Sequence, residues 1–277
     1  MTKLVQQIIT LITDFGQKGA HYIASMKGVI LGINPNVRIV DIDHNISPFS
    51  LYEAAYILKT VFPYFPEHTI FMIVVDPGVG SSREILGIKT SSNQYFVGPN
   101  NGIFPLALSL DKIIECVNIK NAKYFYKPVS HTFHGRDIMA PVAGYISNGI
   151  LLKEFGAIFD LSNLVTLNQT LIINHKDKII DCTIQYIDTF GNCITNVSIE
   201  NNTIQNTAFR LTEGMKLLLN FQDNEYIARY VTHFKAVSEE KLICIKGSTN
   251  LLEISINQGD AARTIGLKLG DLISIKF

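Results

Sequence analysis

The chain has 277 residues, 47% of them hydrophobic and 17% charged, and its 24 Lys plus Arg balance 24 Asp plus Glu, leaving no formal net charge. That composition excludes a disordered or fibrous chain, and the missing basic excess argues against nucleic acid as a partner. Four scattered cysteines form no CxxC pair, and no apolar run approaches the roughly 18 residues of a membrane span. A cytoplasmic protein with reduced, buried thiols and no membrane partner is expected.

The first apolar run, IITLITD, is cut by Asp14 and lacks a small-residue cleavage site, so it reads as a strand rather than a signal peptide. A turn, DFGQKG, leads into HYIASMKGVILGI, whose helical spacing is stopped by Asn34-Pro35. VRIVDID is the second strand, ending at Asp41 and Asp43. The helix LYEAAYILKTVFPYF follows, with Ser50 as N-cap and Glu53 in capping-box position. TIFMIVVD is a third strand ending on an acid, Asp76. ILGIKT and QYFVG read as antiparallel additions, and IMAPVAGYISNGI as a last helix ending near Gly149. The pattern is an α/β domain over residues 1–168 with a doubly wound, mostly parallel sheet. After a linker at about 160–174, short strand-like runs separated by turns predict an all-β, barrel-like or sandwich domain over 175–277.

In a parallel sheet, ligands bind outside the carboxyl ends of the strands, so the acids placed there point toward a shared crevice. Asp14 fits either a turn former or a carboxylate accepting both hydroxyls of a ribose. No phosphate-cradling glycine loop accompanies it, so a nucleoside-like ligand without phosphate fits better. In VVDPGVGSSR, Asp76 and Arg83 form either a structural ion pair or part of a site beside the close-approach glycines Gly78 and Gly80. SHTFHGRD brings His131, His134, Arg136 and Asp137 together. No further histidine cluster supports a metal site, and His134 suits proton handling, with an acid to orient it, or a simple helix cap. DIDHNI, with Asp41, Asp43 and His44, reads as either a metal-like cluster or, more commonly for such a segment, a loop knitted by side-chain to backbone hydrogen bonds; PNNG reads as a turn, and YIDTFGN as either a β-turn or a ligand grip of Asp188, Phe190 and Asn192.

Taken together, ITDFG, MKGVI, IVDIDHNISPF, VVDPGVGSSR, FVGPNNG, TFHGRDIMAP, IDTFGNCITN and GSTNLLEISINQGDAA, in order from Asp14 to Ala262, resemble the S-adenosyl-L-methionine (SAM) hydroxide adenosyltransferase family, relatives of the fluorinase and chlorinase. The resemblance implies an N-terminal α/β domain and a C-terminal β-barrel. It also implies homotrimers with active sites between the N-terminal domain of one subunit and the C-terminal domain of the next. The implied reaction is SAM hydrolysis to adenosine and L-methionine, with water-derived hydroxide attacking ribose C5′ and no metal or cofactor. Asp76, Arg83 and His134 match the set around the nucleophilic water, the proton going to Asp76 or His134. Asp14 matches the ribose acid. Asp188 and Asn192 match positions at the methionine amine and adenine, Phe190 the neighbouring aromatic, Ser248 a carboxylate contact and Gln258 a backbone contact to adenine. Two departures are Gly19, where most relatives carry an acid, and Thr249, where the fluorinase has an arginine. The alternatives are a non-catalytic adenosine- or SAM-binding module and a halide-dependent SAM-cleaving transferase.

Overall fold

In the computed structural model, which describes residues 7–109 and 112–277, the apolar runs ending on acids form neighbouring strands of one sheet. The chain divides into two compact units, Met1–Leu167 and Asn168–Phe277. The first unit contains β1 (Ile8–Thr13), β2 (Arg38–Asp43), β3 (Ile70–Val74), β4 (Ile85–Thr90), β5 (Tyr95–Pro99), β6 (Ile113–Ile119) and β7 (Gly156–Ile158) in the order β2-β1-β3-β5-β4-β6-β7. The pairings from β2 to β5 are parallel and those from β5 to β7 antiparallel. QYFVG therefore joins β3 in parallel, contrary to the expectation, and only β4, β6 and β7 are added through antiparallel contacts.

Alternation along β3 builds two cores. Ile70, Met72 and Val74 pack with Ile23, Met26 and Ile30 of α1 (Ala20–Ile33) and with α4 (Ala140–Ser147), while Phe71 and Ile73 face α2 (Leu51–Val61) and α3 (Ile103–Ala107). Helices thus cover both sheet faces. Phe71 and Phe96 stack at 5.0 Å with an interplanar angle of 14° in the α2-side core. Ser50 caps α2 by accepting the Glu53 amide, but the Glu53 carboxylate takes the amide of Ser47, so the reciprocal half of the capping box is redirected to the preceding loop. From β1 the chain passes to β2 on one flank and later to β3 on the other. That reversal is a topological switch point, and its crevice opens beyond the carboxyl ends of β1 and β3.

The second unit comprises β8 (Leu171–Asn174), β9 (Ile179–Ile187), β10 (Cys193–Glu200), β11 (Thr203–Ile204), β12 (Lys216–Phe221), β13 (Asn224–Val231), β14 (Leu242–Lys246), β15 (Leu251–Ile256), the short helix α5 (Ala261–Ile265) and β16 (Leu272–Lys276). Seven strands in the order β10-β15-β14-β13-β12-β16-β9 close into a barrel through the β9–β10 pairing. Closure leaves no unpaired edge among those seven. Alternate residues such as Ile184, Leu219, Tyr230, Leu252 and Ile273 fill the interior. The end of the expected linker is ordered as β8, which pairs with β9. All four cysteines are buried free thiols, and burial pushes those of Cys116, Cys193 and Cys244 up to about 12.

Candidate active site

Asp14 and Asp76 stand just beyond β1 and β3, whose ends are in register at Thr13 and Val74. Both line a cavity of about 330 Å³, together with Phe15, Tyr22, Phe49, Val79, Phe133 and His134. That volume is at the lower end of the roughly 300–1,000 Å³ common for small-molecule sites. The rings of Phe15, Tyr22 and Phe133 contact one another at centroid distances of 5.1–5.9 Å and form an apolar wall. A roomier cavity of about 570 Å³ along α1 and α4 is lined by Tyr124, Tyr126, Tyr145 and Arg136 without a carboxylate or histidine, so the chemistry favours the smaller one.

Arg83 joins two of the cavity's polar groups. Its Nε donates to Asp76 Oδ1 at 3.0 Å, while its Nη2 donates both to Asp76 Oδ2 and, at 2.9 Å, to His134 Nδ1. The Asp76 and Arg83 side chains are only 6% and 12% exposed. Burial, followed by the positive charge of Arg83, lowers the His134 imidazole below its ordinary pKa despite the opposing pull of Asp76 and Asp137. The ring is therefore neutral at neutral pH. Guanidinium only donates, so Nδ1 accepts and the proton of the neutral ring sits on Nε2.

The turn after β3 places Arg83. Ser81 donates to the Gly78 carbonyl and accepts the Arg83 amide, and Asn101 Nδ2 braces the Val75 carbonyl at 2.8 Å. Gly80, at φ +81°, admits the His131 carbonyl so closely that an added Cβ would lie 2.2 Å from its oxygen. His134 precedes a π-helical turn, Gly135–Met139, that runs into α4. The expected orienting acid is not Asp137. That carboxylate is fully buried and spends itself on Arg136 and the Ser130 amide, so Arg83 orients the histidine instead.

Asp14 Oδ2 accepts the amide of Phe49 at 2.9 Å. Phe49 is a residue that sequence reasoning missed. Its φ of +66° is a strained value for an aromatic residue, and the residue, which lines the cavity, is 68% exposed. The phenylalanine following Pro48 was the one signal in the sequence.

In the second unit, Asp188, Phe190 and Asn192 share one turn after β9. Asp188 accepts the amides of Phe190 and Asn192 at 2.9 Å each and the Asn192 side chain at 2.8 Å, and Phe190 is 75% exposed. Gln258 is exposed beyond β15, whose following segment meets this turn where Ala262 donates to the Gly191 carbonyl. Ser248 is exposed in the turn before β15, beside Gly247, which packs closely against the Glu253 side chain. Burial pushes the Glu253 carboxyl up to about 7, with the charge of Asp188 adding to the effect.

An α/β sheet with acids and a histidine at its switch point, continuing into a closed barrel, defines a protein with a small-molecule site at the carboxyl edge of parallel strands. The chain belongs to the SAM hydroxide adenosyltransferase family: the model of its N-terminal domain matches residues 9–156 and that of its C-terminal domain residues 182–274. It is 35% identical to an (R)-S-adenosyl-L-methionine hydrolase of Methanocaldococcus jannaschii, across 99% of this chain and 97% of that one. It is 30% identical to a protein of the same name from Thermus thermophilus, across 95% and 96%. Among solved structures, an uncharacterized conserved protein from Thermotoga maritima superposes with a TM-score of 0.85 at 33% identity, over 98% of this chain and all of that one.

Proposed function

We propose that the chain hydrolyses SAM to adenosine and L-methionine by attack of water on ribose C5′. Family membership and the names of the relatives support the substrate. The observation that carries the chemistry is the guanidinium of Arg83 bridging Asp76 and His134 on the wall of the cavity that also holds Asp14. The water oxygen forms the new bond to C5′, the C5′–S bond breaks, and its electron pair leaves on sulfur as neutral methionine thioether.

A sulfonium is already a good leaving group, so the protein supplies alignment and proton removal. Holding water in line contributes roughly 7–11 kcal/mol at best, and a positioned base about 10² to 10⁴ in rate. We assign the proton to Asp76. The ring of His134 has its Nδ1 lone pair engaged by Arg83, so its Nε2–H is a donor that holds the water, whereas the Asp76 oxygens keep lone pairs free beside the Arg83 fork. Charge cancels as a hydroxide-like nucleophile meets a sulfonium, which a dry apolar cavity favours.

Asp14 takes the ribose hydroxyls. The Asp188 turn receives the methionine amine and adenine, with Phe190 stacking, Ser248 meeting the carboxylate and the Gln258 backbone the adenine. In this reading a neighbouring copy in a homotrimer contributes that turn, and the protein works in the cytoplasm. Incubation with SAM followed by chromatography yields adenosine and methionine in equal amounts, and added chloride or fluoride yields no 5′-halo-adenosine. Bound SAM recovered intact would overturn the proposal in favour of a binding module.

A further inference from the structure

The DIDHNI segment contains a histidine that the reaction does not use, yet it touches both sides of the residue expected to hold the ribose. We propose that His44 is a positioning residue for Asp14, tying the Thr13 hydroxyl at the end of β1 to Asp41 at the end of β2 and so fixing the turn that presents the Asp14 carboxylate to the cavity. The inference rests on Asp14 binding the ribose, as argued above.

Three contacts converge on His44. Its Nδ1 lies 3.0 Å from Thr13 Oγ1, its backbone carbonyl accepts the Gly16 amide at 2.7 Å, and its Nε2 lies 3.1 Å from Asp41 Oδ1, off the angle of a directed hydrogen bond but at ion-pair distance. Residues 13 and 16 bracket Asp14 and Phe15, so residue 44 holds the turn at both ends, through its imidazole at Thr13 and its backbone carbonyl at Gly16. Gly16, at φ +61° and ψ −173°, occupies a backbone region essentially restricted to glycine, a shape that the chain keeps only where its surroundings impose it.

The far anchor is itself secured. Lys27 Nζ donates to Asp41 Oδ2 at 2.5 Å. Burial would raise the Asp41 carboxyl, but Lys27 and His44 outweigh it and hold it below its ordinary pKa, so it stays anionic. Thr13 is fully buried, and its hydroxyl accepts the Phe15 amide at 3.4 Å while pairing with His44 Nδ1. From the other side, the Phe49 amide aims Asp14 Oδ2, so the loop after β2 clamps this acid twice. None of His44, Thr13 or Asp41 lines the cavity. Their effect on a ligand passes through Asp14.

The test compares Asp14→Ala, His44→Phe, Thr13→Val and Thr13→Ser by KM and kcat for SAM, with melting curves for each. His44→Phe and Thr13→Val are expected to raise KM about tenfold, the factor that one oriented hydrogen bond carries, with kcat little changed, while Thr13→Ser stays near wild type. Added to Asp14→Ala, neither substitution raises KM further. If His44→Phe does not fold, the Thr13 pair carries the test. A raised KM in Asp14→Ala beside unchanged KM in His44→Phe and Thr13→Val overturns the positioning role alone. An unchanged KM in Asp14→Ala overturns the ribose reading and this inference with it.

Discussion

Arg83→Lys separates the charge of residue 83 from its shape. The arginine makes three contacts at once: Nε to Asp76 Oδ1, Nη2 to Asp76 Oδ2 and Nη2 to His134 Nδ1. A lysine ammonium is a point charge on a flexible stem and cannot reproduce this planar fork. With one contact kept, two are lost. Hydrogen bonds involving a charged partner carry about 1.5–3 kcal/mol each, so the low end of that range removes about 3 kcal/mol, roughly 100-fold in rate if the loss falls on the transition state. Side chains only 6% and 12% exposed get little relief from solvent. Initial rates of adenosine release over a range of SAM concentrations give kcat and KM separately, and a melting curve confirms the fold. The expected result is a kcat roughly 100-fold lower with KM little changed. Wild-type kcat in folded Arg83→Lys would refute the idea that the bridge between Asp76 and His134 organises the attack.

Other consequences concern pH, the turn and assembly. Because burial and Arg83 disfavour the His134 imidazolium, the folded protein gives up that proton more readily than the unfolded chain. Activity is thus flat through neutral pH and is lost as pH falls, with a midpoint below the ordinary imidazole value of about 6.5; a pH–rate profile with its acid limb above that value contradicts this. Gly80→Ala adds a Cβ 2.2 Å from the His131 carbonyl oxygen at φ +81°, where left-handed backbone alone costs a non-glycine residue about 1–2 kcal/mol, so both the melting temperature and kcat should drop. Mixing inactive Asp76→Asn with inactive Asp188→Asn subunits after dissociation and reassembly should restore activity if neighbouring copies share sites, and sedimentation should give the mass of three chains. No recovery in reassembled trimers would place both residues in one chain's site.

What was legible in the sequence follows period and punctuation. The acids ending β1 and β3, the Ser50 cap and the stop at Asn34-Pro35 are local signals, and each stands where the spacing predicted. Strand partners are not local. The alternation of QYFVG is the same whichever way its neighbour runs, so its parallel pairing with β3 was hidden. Likewise, the strand-like runs after residue 175 left barrel and sandwich open, because closure depends on β9 meeting β10. At the site, spacing paired Asp76 with Arg83 but offered Asp137 to His134. The structure spends Asp137 inside its own loop and lets an arginine 51 positions upstream reach the ring. Phe49 was illegible for a different reason: its positive φ is imposed by the loop that presents its amide to Asp14, a demand that no propensity encodes.

The central claim is that water, held by the Asp76, Arg83 and His134 cluster, attacks C5′ of SAM. Turnover in water enriched in ¹⁸O, followed by mass spectrometry of the products, tests it directly. The account predicts one heavy oxygen in the 5′-hydroxyl of adenosine and none in methionine. Unlabelled adenosine, or label carried by methionine, would contradict it.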